Sequence, residues 1–154
     1  MVETALKRGE VVPNFTLPNT AGEMVRRSAY RGKQHLILLF MPATEEETAR
    51  AYLQSIANAY SAIKAASGDV LALFRDSMET LAEVKETLAL PFQLLSDDGT
   101  AMLRFVPPDA HAGVFVIDRY GELYFSAVAQ DTQGLPPVSE LQSWLEAVDN
   151  QCSI

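Results

Sequence analysis

The order of signals along the chain predicts an α/β fold: a central mixed β-sheet with helices on both faces and an N-terminal β-hairpin. Three observations predict it. Continuous apolar runs recur at "HLILLFM" (His35 to Met41), "DVLALF" (Asp69 to Phe74) and "GVFVID" (Gly113 to Asp118). Runs of this kind, without polar alternation, suit strands covered on both faces. Helical patterns with definable ends separate the first runs. Hairpin-like alternation flanks the set, which calls for antiparallel pairing beside parallel strands.

In chain order, "NFTLPNTAGEMV" (Asn14 to Val25) alternates around an Ala21-Gly22 turn and reads as a hairpin. His35 leads the central strand and is expected to be a half-buried edge residue, with Met41 in the sheet core. Thr44 and Glu47 have the T-x-x-E spacing of a capping box. Beyond them Ala49, Tyr52, Leu53, Ile56, Tyr60 and Ile63 form one apolar helical face, and Gly68 is the expected stop. A second helix is expected from Asp76 or Ser77, with Met78 in its first turn, Leu81, Val84 and Leu88 buried, and Pro91 as its limit. "FQLL" (Phe92 to Leu95) is a shorter strand candidate. In "VIDRYGELYFS" (Val116 to Ser126), Tyr120-Gly121 separates two β-rich runs that should pair antiparallel. A last helix follows "PP", with Val138, Leu141, Trp144, Leu145 and Val148 on one side.

The totals narrow the function classes. At 154 residues the chain is read as a single domain spanning 1–154, enough to bury roughly two-thirds of its unfolded surface. With 48% apolar and 21% charged residues its composition is that of an ordinary globular protein. A formal charge of -8 and a pI near 4.7 oppose nucleic acid and anionic membranes as partners. No apolar run reaches the ~18 residues that a membrane helix needs. "MVETALKRGE" has no apolar h-region, so no secretory signal is expected. The single cysteine excludes an intrachain disulfide and fits a reducing compartment, so the expected location is cytoplasmic.

The local motifs carry a resemblance. "VPNFTLPNTAGEMV", "YRGKQHLILLFMPA", "LALPFQLLSDDGTAMLRF" and "VFVIDRYGELYFS" occur in an order that resembles the peroxiredoxins of the alkyl hydroperoxide reductase/thiol-specific antioxidant family. They cover roughly Val12 to Ser126. The resemblance implies a thioredoxin-like fold and thiol-based peroxidase chemistry. In that family the proline ending the central strand opens a P-x-x-x-T-x-x-C pattern, whose cysteine lies in the first turn of a helix. The helix N-terminus and a nearby arginine stabilise the attacking thiolate. Counted from Pro42, the threonine position is Glu46 and the cysteine position is Ala49. The W-C-x-x-C of related membrane-anchored thiol reductases would also fall on Glu46 and Ala49. The family's arginine lies three residues before the Phe of "FVID", at Ala112, beside His111. Of these four positions only Pro42 matches the pattern.

An alanine methyl cannot attack an O–O bond, and Glu45, Glu46 and Glu47 would raise the pKa of any thiol among them. Other candidates have plain structural readings. Cys152, near the C-terminus, is a solvated thiol or a resolving group. The three glutamates favour a helix start, at about 0.3–1 kcal/mol each, or form a cation or base site. His111, in the loop "VPPDAHAG", is a loop residue or an acid–base or metal partner of Glu46. Arg26, Arg27, Arg31 and Lys33 read as a solvated basic turn. The expected function is therefore a degenerate peroxiredoxin-like domain without peroxidase chemistry and with no cofactor or metal, acting as a binding, regulatory or docking module. Its partner would be another protein, a small ligand in the vacated pocket, or a second copy in a homodimer. The alternative is a thiol-dependent antioxidant oxidoreductase using Cys152, or an acid–base or metal site at Glu46 and His111.

Overall fold

The computed structural model describes residues 6–152, and Cys152 by its backbone alone. A two-stranded antiparallel hairpin, β1 (Thr16–Pro18) and β2 (Met24–Arg26), turns at Gly22, whose φ of 80° suits glycine. The main sheet holds β3 (His35–Phe40), β4 (Gly68–Phe74), β5 (Gln93–Ser96), β6 (Ala112–Ile117) and β7 (Leu123–Ala129). Their spatial order is β5-β4-β3-β6-β7. The β3–β4 and β4–β5 pairs are parallel, and β3–β6 and β6–β7 are antiparallel, so the sheet is mixed as expected. Among the described residues the α-helices are α1 (Glu47–Ala65), α2 (Met78–Thr87), α3 (Thr100–Phe105) and α4 (Val138–Cys152). Among the described residues no helix is long and apolar enough to cross a membrane.

The apolar run of β3 is explained by two cores. Ile37, Leu39 and Met41 enter one core with Ala49, Leu53 and Ile56 of α1, Leu81 of α2, and Leu141 and Leu145 of α4. Leu36, Leu38 and Phe40 enter the other with Val12, Phe15, Ala101 and Phe105. Alternate side chains of one strand thus fill opposite faces, and neither face meets water. Phe105 packs edge-on or tilted against Phe15, Phe40 and Phe115 at centroid separations of 5.1 to 6.3 Å.

Several local expectations differ from what forms. His35 is wholly buried (0% exposed), on the central strand rather than at an edge. Its Nδ1 accepts the Arg119 amide at 3.0 Å, which leaves Nε2 to donate to Asp149 of α4 at 3.2 Å. Both ring nitrogens are occupied, which satisfies an imidazole inside the fold. The capping box does not form. Glu46 is the N-cap of α1 and makes no side-chain cap bond, while Thr44 turns away to Asp76. The left-handed residue after α1 is Ser67 (φ 62°), not Gly68. Gly68 already belongs to β4, and a Cβ there would lie 2.7 Å from Leu145 Cδ2. α3 was not expected, since six residues are too few to show a helical period. Arg27 is buried rather than solvated, its Nε donating to the Pro13 carbonyl at 2.8 Å.

Two predictions follow from this packing. Gly68→Ala should lower stability by about 1–3 kcal/mol in urea unfolding, because buried Leu145 has little room to retreat. The second concerns pH. Burial pushes the His35 pKa below its ordinary 6.5, against the raising effect of the Asp149 hydrogen bond. The unfolded chain then binds more protons than the native one below about pH 6.5, so stability falls as pH drops through that value and on towards the native pKa. Melting temperatures from pH 7.5 to 5 should decline, and the slope should flatten in His35→Gln.

Candidate functional site

The register of the sheet gathers the motif positions at one end. Phe40 pairs with Leu73 on one side and with Gly113 on the other. One step further, Met41 donates its amide to Leu73 and lies level with Ala112. Pro42 follows, the chain turns through Thr44 to Glu46, and α1 starts at Glu47 with Ala49 in its first turn. Pro42, Glu46, Ala49 and Ala112 therefore share the carboxyl end of the parallel strands, where open α/β sheets commonly bind ligands. Ala49 and Ala112 are both 0% exposed and belong to one apolar core, whereas Glu45, Glu46 and Glu47 face solvent.

A polar network braces this end. The buried Thr44 hydroxyl donates to Asp76 Oδ2 at 2.6 Å, and the Asp76 carbonyl accepts from Ser96 Oγ at 2.7 Å. Arg50, one helical position past Ala49, donates Nε to the Thr44 carbonyl at 2.6 Å. The loop between β3 and α1 is thus tied to the ends of β4 and β5 and to its own helix. Tyr52 donates its hydroxyl to the Pro136 carbonyl at 2.6 Å, and burial, then Glu140, pushes its pKa up.

Beside this network lies a cleft of about 310 Å³, lined among others by Arg75, Gly99, Met102, Leu103, Val106 and His111. One wall is α3, which Asp97 starts: its carboxylate accepts the amides of Ala101 and Met102 at 3.2 and 3.0 Å. His111 is exposed, and its backbone amide donates to the Ala129 carbonyl at 2.9 Å. Glu46 is not among the lining residues, so the cleft does not join it to His111. Among the described residues no three His, Cys, Asp or Glu side chains are grouped to hold a metal ion. Cys152 closes α4. It lies one helical turn past Asp149, whose bond to His35 fixes that helix end at the opposite, amino end of β3.

A family model described as the AhpC/TSA family matches residues 8–126. The chain belongs to the AhpC/TSA family. Curated relatives include a putative chloroplastic peroxiredoxin Q from Oryza sativa subsp. indica, 28% identical over 127 residues, covering 78% of this chain and 58% of the relative. Peroxiredoxin Bcp of Escherichia coli K12 is 31% identical over 93 residues, covering 60% of this chain and 59% of that protein. The chain thus spans under two-thirds of the length of these relatives. Among solved structures, peroxidoxin BcpB from Mycobacterium tuberculosis superposes with a TM-score of 0.79 at 19% identity, covering 93% of this chain and 98% of that one. At that identity the likeness is one of fold, and the fold is thioredoxin-like.

Within this AhpC/TSA chain, sequence motifs located Pro42, Ala49 and Ala112 but missed Arg75, Asp76 and Asp97. The "SDDGT" stretch held a signal for Asp97, since an acidic residue shortly before a helix start commonly accepts its free amides. Asp76 had none, because its partner Thr44 is 32 residues away. Thr44→Val should cost about 1–3 kcal/mol by removing the buried hydroxyl bond to Asp76 and leaving its carboxylate only the longer bond from the Thr44 amide, measured by urea unfolding against Thr44→Ser.

Proposed function

We propose that this chain is a peroxiredoxin-family domain without peroxidase chemistry, working as a binding or partner-docking module. The observation that carries this reading is the state of the two positions where the family resemblance expects the nucleophile and its arginine. Ala49 and Ala112 supply neither a thiol nor a cation, and at 0% exposure both are sealed in one apolar core. A peroxide would find no reactive atom there and no opening to it. The neighbouring Glu45, Glu46 and Glu47 would oppose a thiolate rather than stabilise one.

The one cysteine of the sequence does not substitute. Cys152 ends a helix held at the amino end of β3, and a strand of six residues spans about 20 Å. A helix-end thiol at that remove gains nothing from the N-terminus of α1. The glutamate–histidine alternative is the weaker reading, since His111 lines a cleft whose lining residues do not include Glu46. A docking role is supported by the carboxyl end of the sheet, where Met78 and Leu103 are 38% and 71% exposed. The partner in this reading is another protein, a small ligand or a second copy of the chain. The single domain over 1–154 and the cytoplasmic setting belong to the same reading.

Peroxide consumption with a thiol reductant should stay at the buffer rate for the native chain and for Cys152→Ser alike. Turnover lost in Cys152→Ser would make the helix-end thiol the active site and overturn the proposal. Turnover that persists in the variant would overturn it too, by demanding chemistry without sulfur.

A further inference from the structure

The cleft beside α3 has a composition that the reading above does not use. Its cation is Arg75, which follows β4 directly and is exposed. The guanidinium lies against the backbone of Gly99: its Cζ, Nε and Nη2 stand 3.5, 3.6 and 3.6 Å from the point that a Cβ would occupy. Gly99 has a φ of 105°, so glycine is required there on backbone grounds as well. The bare backbone gives the guanidinium a flat support. Among the described residues no carboxylate stands within ion-pair distance of Arg75, and none of the ion pairs involves it. Asp98 also lines the cleft, but the Thr100 side chain, then the Thr100 amide donating to its Oδ1 at 2.9 Å, and only last Arg75, hold its carboxyl below the usual range.

Apart from Thr100 and His111, the remaining lining is apolar. Met102 and Leu103 of α3, Val106 and Pro107 present hydrocarbon, and Leu103 is 71% exposed. An exposed leucine on the rim of a cleft leaves apolar surface that an occupant would cover. At about 310 Å³ the cleft lies at the small end of small-molecule sites.

We propose that this cleft binds a small amphipathic carboxylate, its hydrocarbon body against Met102, Leu103, Val106 and Pro107 and its carboxylate on Arg75 with His111 beside it. A planar guanidinium and a carboxylate match in a two-bond geometry, and the apolar wall adds binding for each methylene it covers. Asp98 sets the charge of the occupant: one anionic group is matched by Arg75, whereas a multiply charged anion meets an opposing carboxylate. The inference rests on the reading of the chain as a binding module, and the two fail separately. Peroxide turnover would end that reading without altering a binding isotherm measured in the absence of peroxide.

The test uses the full chain with octanoate, followed by calorimetry and by amide NMR shifts at Gly99, Leu103 and His111. Octanoate should bind saturably and shift those amides, with octanol and inorganic phosphate each at least about tenfold weaker, the worth of one charge-assisted contact. Arg75→Gln should weaken octanoate about tenfold and leave octanol unchanged. Leu103→Ser should weaken both. Each residue is exposed, and circular dichroism melts should match the native chain. Octanol binding as tightly as octanoate would overturn the proposal. So would phosphate binding as tightly, unchanged affinity in Arg75→Gln, or shifts confined to other parts of the molecule.

Discussion

β3 must be dry on both faces, and most of the architecture serves that requirement. Leu36, Ile37, Leu38, Leu39 and Phe40 are each at most 1% exposed, and burying such side chains is worth about 1.5–3 kcal/mol apiece. The backbone of the strand can be satisfied only by neighbours on both edges, which β4 and β6 provide. Two layers of cover are then needed. α1, α2 and α4 supply one, and the N-terminal segment with α3 supplies the other. A strand of polar alternation would have needed only one of these layers.

The two ends of β3 have opposite characters. At its amino end a buried imidazole, a half-buried carboxylate and the hairpin backbone close on one another, so α4 is pinned by polar contacts as well as by leucines. At its carboxyl end the chain leaves the sheet at Pro42 and the polar bonds go to loop backbone and to Asp76. That end carries Met78 and Leu103, the cleft and the glutamates, while its innermost positions are alanine. Polar contacts thus anchor both ends, to a helix at one and to loops at the other.

Much of the fold was legible because β3, β4 and β6 are unbroken apolar runs and the residues from Ala49 to Ile63 keep one helical face. The errors came where a residue's role is set across space. His35 looked like an edge residue because its partners are 84 and 114 positions away. Thr44 had the spacing of a capping box, but its hydroxyl found a charged acceptor on another loop, and that bond outweighs a local cap. Gly68 looked like a helix stop, yet its missing Cβ makes room for Leu145. At the candidate site, the motif spacing brought Pro42, Ala49 and Ala112 into one argument, and the register brought them to one end of the sheet. The cleft was invisible, because Arg75, Gly99 and His111 come from three separate connections.

The burial of Ala49 also bears on how readily a thiol site could form there. A sulfur placed at that position would be packed among Met41, Leu53 and other core groups, where apolar surroundings keep a thiol protonated and inert. A cation at 112 would meet the same walls and would need a cavity as well as a charge. Single substitutions along that path cost stability before any of them yields chemistry. The packing thus resists change at the inner positions, while the outer surface of the sheet end accepts substitutions at little cost to the core.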